Sequence, residues 1–530
     1  MLMIRQKVVG GLTALTLAVG LGAVAVPVAQ AAPAAAKLVW KDCPPEAGWP
    51  PHDPRMLCTT VTVPLDHRRP NGRTIEIAVS RIATAKPGLR RGVLLHNGGG
   101  PGTRSLHLPS AYAQVYPQEV LDRYDLIGFD PRGIGHSAPL TCGRTEAGLP
   151  TEKVLPFPAP DGSIAPNVAF GKALARDCLA NGGDVLPYVT TANTARDMDR
   201  IRIALGERRI SYFSGSYGSY LGTVYAQLFP ERADRFVLDS LVDPARIWHG
   251  MWSLWDSGAE LRFGDFAAWA AERDGELGLG ATPAEVRAGF LALAARLDRT
   301  PGHHPDAGEV NGNRFRMLYR GLSIHTALFP EIAAWWRYLD GTDAQAPAWY
   351  PRVVEEGIPA DNEVAAMLAV VCGDVRWNRD PASYQREVTD HRRRYPLLAG
   401  MGANVFPCLW WNDPVEPPVR ITDRGPANIL LLQNLRDPST PYAGALGLRE
   451  ALGGRARMVT VDAGNHGTYD PEAPSCAIAE THRFLVTGQL PARDRFCRPD
   501  PVPAGTDGAG GAPGAAKAGG TAALFARGMI

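Results

Sequence analysis

The chain has 530 residues, 45% of them hydrophobic and 21% charged, the proportions of a folded globular protein large enough for one domain with an insertion or for two or three ordinary domains. Its 55 basic and 54 acidic residues leave a formal charge of +1, which excludes the basic footprint of a nucleic-acid or other polyanion binder. Neither a CxxC pair nor an HExxH run occurs, so metal and redox chemistry have no support and no cofactor is expected.

At the N-terminus Arg5 and Lys7 precede an apolar run over 8–28 that ends in Ala29-Gln30-Ala31. Charged, apolar and small-residue regions in this order read as a secretory signal cleaved after Ala31. A retained membrane anchor is the alternative; the small-residue exit favours cleavage, and no later apolar run is long enough to span. All eight cysteines (Cys43, Cys58, Cys142, Cys178, Cys372, Cys408, Cys476 and Cys497) follow that segment. An even number in an exported chain suggests up to four disulfides, paired most simply in sequence order.

Beyond the signal, β-branched alternation marks strands at 58–63 and 74–82, and short apolar runs follow at 93–95, 126–129, 210–213 and 236–238. Helical stretches at 194–205 and 219–229 alternate with the later runs, so the chain from about 90 to 240 reads as repeated βα units and a mostly parallel sheet. From Asp243 to about Gly425 strand signals are sparse and helical runs at 283–297, 332–339 and 362–371 predominate, which reads as a large helical insertion. The βα rhythm then returns with an apolar run at 429–432, a helix at 442–452 and a strand at 458–461. From Pro499 onward the chain is rich in Pro, Gly and Ala and is expected to be disordered, with Leu524 and Phe525 unexplained. The expected organisation is therefore a signal (1–31), a first core part (32–242), a helical cap (243–425), a second core part (426–498) and a tail (499–530).

The stretch YFSGSYGSYLG, residues 212–222, places three serines at a strand-to-helix junction. A nucleophile elbow holds its central residue in a strained conformation, so the positions two before and two after it must be small. Ser219 has Tyr217 and Leu221 at those positions, and Ser214 has Tyr212; both fail. Ser216 has Ser214 and Gly218 and passes, with serine where G-x-S-x-G has glycine.

A serine hydroxyl needs a histidine base oriented by a carboxylate, and after such an elbow these follow in the order acid, then histidine. Asp437, in LLLQNLRDPSTP, follows an apolar run; His466, in VDAGNHGTYD, lies in a loop after the last strand. His249, His303, His304, His325 and His391 fall in the insertion and His482 in a predicted helix, where packing or surface roles are expected. Two backbone N–H donors are needed for the oxyanion, and Tyr217 with the run HNGGGPG can supply them. Pro101 interrupts that run and neither phosphate-binding glycine motif is matched, which sets nucleotide binding aside.

NGGGPG, DPRGIGHS, SGSYGSYLG and LRDPSTP with the later GNHG together resemble the secreted tripeptidyl aminopeptidases of actinobacteria, relatives of the proline iminopeptidases within the α/β-hydrolase fold. The resemblance runs from about Cys43 to Cys497, with a TAP-like C-terminal part from about Val371. It implies an α/β-hydrolase fold with a mostly parallel sheet and a helical cap; Ser216 as nucleophile, Asp437 as orienter and His466 as base; and Gly100 with Tyr217 as oxyanion donors. Ser214 departs from the pattern. Arg132, in DPRGIGHS, is expected to be structural.

An aminopeptidase must offset the desolvation of a free α-ammonium with a carboxylate or carbonyl cluster. Asp374 is the preferred candidate, because a disulfide could hold neighbouring Cys372, followed by Asp243 and Glu363. Thr440, three residues after Asp437, is a candidate for the first subsites. Trp248, Trp252 and Trp255 are expected to share one helical face, in the core of the cap or along the cleft.

The implied activity is release of tripeptides from peptides with a free N-terminus, by a secreted, extracellular monomer whose association with the cell wall is left open. A proline iminopeptidase-like aminopeptidase or a carboxylesterase would use the same triad. A non-catalytic secreted binding protein on the same scaffold is expected to have lost a triad member, and all three are present.

Overall fold

A computed structural model describes residues 38–46, 48–349, 354–471 and 474–499. The predicted signal and, Pro499 apart, the predicted tail lie outside these residues.

Twelve strands are found among them: β1 (Lys41–Asp42), β2 (Leu57–Pro64), β3 (Thr74–Ile82), β4 (Gly92–Asn97), β5 (Tyr124–Phe129), β6 (Ile210–Gly215), β7 (Ala233–Asp239), β8 (Gly302–His304), β9 (Gly308–Val310), β10 (Ile429–Asn434), β11 (Ala456–Val461) and β12 (Arg495–Cys497). Ten form one sheet in the order β1-β2-β3-β5-β4-β6-β7-β10-β11-β12. Pairing is antiparallel from β1 to β5 and parallel from there to β12. This is an α/β-hydrolase sheet, and every strand read from the sequence lies in it, most extended by one to three residues. The short β1 and β12 carry no periodic signal; β12 is tied to its neighbouring helix by the Cys476–Cys497 disulfide.

All six residues of β4, of β5 and of β10 are buried, which is why these strands read as continuous apolar runs rather than alternating ones. Val93 and Leu95 join one apolar cluster and Leu94 the other, and Ile429 and Leu431 separate from Leu430 and Leu432 in the same way, so both faces of the sheet are covered.

Between β7 and β10 the chain is mainly helical, with helices Leu254–Ala271, Pro283–Arg299, Gly312–Leu322, Phe329–Asp340, Asn362–Asp374 and Pro381–Arg394, plus the β8-β9 hairpin. The first four build their own aromatic core around Phe263, Phe290, Phe315 and Trp336, with the Phe290 and Phe315 ring centres 4.7 Å apart. Helix Asn362–Asp374 instead buries Val364, Leu368 and Val371 in the cluster shared with the sheet. The insertion read as one cap is thus divided between two cores.

Four disulfides, Cys43–Cys58, Cys142–Cys178, Cys372–Cys408 and Cys476–Cys497, follow sequence order. Arg132 is completely buried; its guanidinium forks onto Asp197 at 2.6 Å through Nε and 2.6 Å through Nη2, and donates to the carbonyls of Leu65, Tyr188 and Pro64. Every donor direction is used inside the protein, so its role is structural.

β5 and β6 flank β4 on opposite sides, so the winding direction of the sheet reverses there. In such sheets the crevice for a ligand opens at the carboxyl ends of the strands at the reversal. The loop after β4 carries GGGPG and the turn after β6 carries Ser216.

Candidate active site

Ser216 sits between β6 and the helix Tyr217–Leu228 with φ 57° and ψ −131°, a region costing a non-glycine residue about 1–3 kcal/mol unless its surroundings impose it. Its N–H donates to the Asp239 carbonyl at 3.0 Å, and its carbonyl accepts from the Ser219 N–H at 2.9 Å and the Ser219 hydroxyl at 2.7 Å. The helix therefore begins at Tyr217, two residues before the start read from the sequence.

The neighbouring serines have different tasks. Ser214 and Ser219 are both 0% exposed, whereas Ser216 is partly open. Ser214 donates its hydroxyl to the Asn97 carbonyl at 2.6 Å, tying the elbow to the end of β4. A Cβ on Gly218 would lie 1.7 Å from Ser214 Oγ and 2.6 Å from Ser214 Cβ. The serine at the usual glycine position thus makes the downstream glycine strict. Gly218→Ala is expected to cost about 1–3 kcal/mol of stability through overpacking and to lower turnover, while Ser214→Gly in the same chain restores most of both. Thermal unfolding and steady-state kinetics of the single and double variants check this.

Asp437 follows β10 and His466 follows β11, at the same edge of the sheet. His466 Nδ1 lies 2.9 Å from Asp437 Oδ2 and 3.0 Å from Oδ1. With a carboxylate there, Nδ1 carries the proton and Nε2 presents its lone pair. Asp437 also accepts from the N–H groups of Ser439 and Thr440 and from the hydroxyls of Thr440 and Ser240. Burial raises its pKa, but the charge and hydrogen bond of His466 and the bonds from Thr440 and Ser240 outweigh it and hold the group below its ordinary value.

The His466 loop is fixed from two sides. Asn434 donates its side-chain amide to the carbonyls of Asn465 and Gly467, and Ser240 Oγ accepts from the Gly467 N–H at 2.8 Å. From the insertion, the Ile324 carbonyl accepts the His466 N–H at 2.7 Å. Asn434, Ser240 and Ile324 escape a sequence reading because nothing local marks them; Ser240, with φ 50°, follows β7 and is joined to Asp437 only by the fold.

Gly99 packs on the elbow. A Cβ there would lie 3.4 Å from Ser216 Cβ and 3.9 Å from the Tyr217 nitrogen, at a φ of 84°. The Gly98 N–H is taken by Ser105 Oγ and the Gly99 N–H by the Asn97 carboxamide. Tyr217 is the first residue of its helix, where N–H groups have no intrahelical acceptor.

A tripeptidyl aminopeptidase of Streptomyces lividans is 34% identical to this chain over 487 residues, covering 90% of this chain and 89% of its own length. The chain belongs to the tripeptidyl aminopeptidase family. Within the same range of similarity are Carboxylesterase B of Mycobacterium tuberculosis, 30% identical over 83% of this chain and 86% of its own, and Serine protease Hip1 of the same organism, 28% identical over 83% and 87%. The family profile described as TAP-like protein matches residues 397–497, starting later than the 371 read from the sequence and spanning Asp437 and His466.

The tripeptidyl aminopeptidase scaffold distributes the other site candidates unevenly. Asp374 is buried and committed: Thr191 donates its N–H and its hydroxyl at 2.8 and 2.6 Å, and Trp248 donates its indole N–H at 3.2 Å. Burial raises its pKa to about 6. Asp243 accepts from the Ala245 N–H and pairs with Arg246 at 3.1 Å. Glu363 has a side chain 63% exposed, 4.0 Å from Arg104; its carbonyl lies 2.6 Å from where a Gly102 Cβ would be, so it borders the glycine loop. Thr440 is spent on Asp437.

The three tryptophans do not share one face. Trp248 precedes its short helix, His249–Trp252, and packs on Tyr217 and Tyr220, whereas Trp252 and Trp255 have ring centres 5.5 Å apart. Of the other histidines, His391 pairs with Asp256 at 2.8 Å and His482 with the Tyr469 hydroxyl at 2.7 Å, while His303 is exposed.

Proposed function

We propose that the protein is a secreted serine exopeptidase that releases tripeptides from free N-termini through an acyl-enzyme, acting as a monomer. The observation that carries this reading is the pairing of His466 Nδ1 with the buried Asp437 carboxylate at 2.9 Å, together with the left-handed, partly exposed Ser216 on the elbow.

In the proposed reaction His466 Nε2 takes the Ser216 hydroxyl proton as Oγ attacks the carbonyl of the third residue. The Tyr217 N–H and the N–H of Gly100, the next glycine after the two whose N–H groups are occupied, receive the oxyanion. His466 then donates its proton to the leaving amine. Water, deprotonated by the same histidine, attacks the acyl-enzyme and frees the tripeptide and Ser216.

The insertion, read as a cap over 243–425, would restrict entry to chain ends; its Ile324 contact with the His466 loop supports that placement. Secretion is supported by the apolar N-terminal run and by four disulfides, which persist in oxidising compartments. Glu363 is the candidate best placed to meet the α-ammonium, since it borders the glycine loop and its side chain is largely open to solvent.

The test is cleavage of Ala-Ala-Pro-p-nitroanilide against its N-acetylated form, Pro-p-nitroanilide and p-nitrophenyl butyrate. The expected result is turnover of the free tripeptide substrate with at least tenfold discrimination against each of the others, about 1.4 kcal/mol in the transition state. Equal cleavage of the acetylated peptide ends the exopeptidase reading. Preference for the butyrate ester supports the carboxylesterase reading, which the relative of that name favours.

A further inference from the structure

Arg320 lies near the end of helix Gly312–Leu322, in the insertion. Its Nε is shut off from solvent and has no hydrogen-bond partner. The buried Arg262 on the adjoining helix, by contrast, donates to the Ser323 carbonyl, Asp265, Thr326 and Asn465. Arg320 instead lies over Trp255, its guanidinium carbon 4.1 Å from the ring centre. The ring steadies the cation but cannot accept its N–H groups in the guanidinium plane. Among the described residues no carboxylate comes within ion-pair distance of it.

Its position ties it to the histidine side of the site. Trp255 donates its indole N–H to the Ser439 carbonyl at 2.7 Å, and the Ser439 N–H donates to Asp437 at 2.8 Å. Four residues beyond Arg320, the Ile324 carbonyl receives the His466 N–H. Asp437 and Asp256 are near enough to act on Arg320 electrostatically, yet each is already paired with a histidine. Burial pushes Arg320 down to about 10, which leaves it charged at neutral pH.

A guanidinium whose Nε is cut off from water without a partner is costly unless a ligand completes its fork. His466 must hand its proton to the leaving nitrogen, so the departing segment lies on the histidine side. We propose that Arg320 is a specificity residue that binds a carboxylate just beyond the scissile bond. That carboxylate is either the free C-terminus of a short peptide or an acidic side chain at the first positions of the leaving segment. The proposal rests on the acyl-transfer reading above.

The test measures binding by calorimetry to the Ser216→Ala protein, which keeps peptides intact, using Ala-Ala-Pro-Ala as free acid and as C-terminal amide, and Ala-Ala-Pro-Asp-Ala-amide against its Asn analogue. The expected result is binding about tenfold or more tighter for at least one acid than for its neutral partner; which pair shows it distinguishes the two sources. Adding Arg320→Gln to Ser216→Ala is expected to bring that ratio to about one, and Arg320→Lys to retain part of it. Equal binding of both acid–neutral pairs to Ser216→Ala overturns the proposal whether or not the Arg320 variants fold, as does a preference that survives Arg320→Gln. Turnover of Ala-Ala-Pro-p-nitroanilide by the unaltered protein reports separately on the peptidase reading, because its leaving group carries no carboxylate.

Discussion

Ser216→Ala is expected to lower kcat on Ala-Ala-Pro-p-nitroanilide by about a millionfold, the size seen when a serine nucleophile is removed from a complete triad. Neither neighbouring hydroxyl can take over. Ser214 Oγ is engaged with the Asn97 carbonyl and Ser219 Oγ with the Ser216 carbonyl, and both residues are wholly buried. The substitution removes one oxygen at a site held by backbone contacts, so the fold is expected to persist, with unchanged circular dichroism and melting temperature within a few degrees. His466→Ala should cost a similar factor, and the double variant little more than either alone, because nucleophile and base act as one unit. Residual activity above about 1% in a properly folded Ser216→Ala protein would move the nucleophile elsewhere, since no partial mechanism sustains so much.

Asp437→Asn is expected to reduce kcat by about ten thousandfold with a smaller effect on KM. A carboxamide can turn its NH2 toward His466 Nδ1, which places the histidine proton on Nε2 and leaves no lone pair facing Ser216. The same change affects stability. Asp437 collects bonds from Ser439, Thr440, Ser240 and His466, and an amide nitrogen accepts none of them. Because the folded protein holds this carboxylate below its ordinary pKa, the ionised form stabilises the fold above the unfolded-chain value, and that contribution is lost as the pH falls through the lower folded value. The variant should therefore be less stable than the parent protein near neutrality, and the gap should close in strong acid. Urea unfolding across that range, alongside kcat, measures both effects; a gap independent of pH would remove the electrostatic account.

Much of the sheet was legible because its strands are apolar runs bounded by Gly, Pro and Asp, and period and length together separate them from helices. The candidate triad was legible for a related reason: elbow, acid and histidine each sit a few residues after such a run. The insertion was legible only as helical. That helix Asn362–Asp374 leaves it to join the sheet's core depends on which apolar face meets which neighbour, and pattern along a helix does not name the partner. The expected single face of Trp248, Trp252 and Trp255 failed because Trp248 is only the N-cap of its short helix and its ring packs on Tyr217 and Tyr220, whereas Trp252 packs on Trp255. Among the α-ammonium candidates, Asp374 is drawn inward by Thr191 and Trp248, partners far from it in sequence.

By itself the amino-acid sequence determined the strand runs and marked Ser216 as the candidate nucleophile through the small residues an elbow demands. These are local matters, set by side-chain volume, backbone freedom and hydrophobic period within a few residues. Only the tertiary structure decided that Ser214 locks Gly218, that Ser240 and Asn434 steady the acid and the histidine loop, and that Arg320 lies unpaired over Trp255 beside them. Each depends on which distant groups share a buried space, where hydrogen bonds and desolvation act over a few ångströms regardless of separation along the chain.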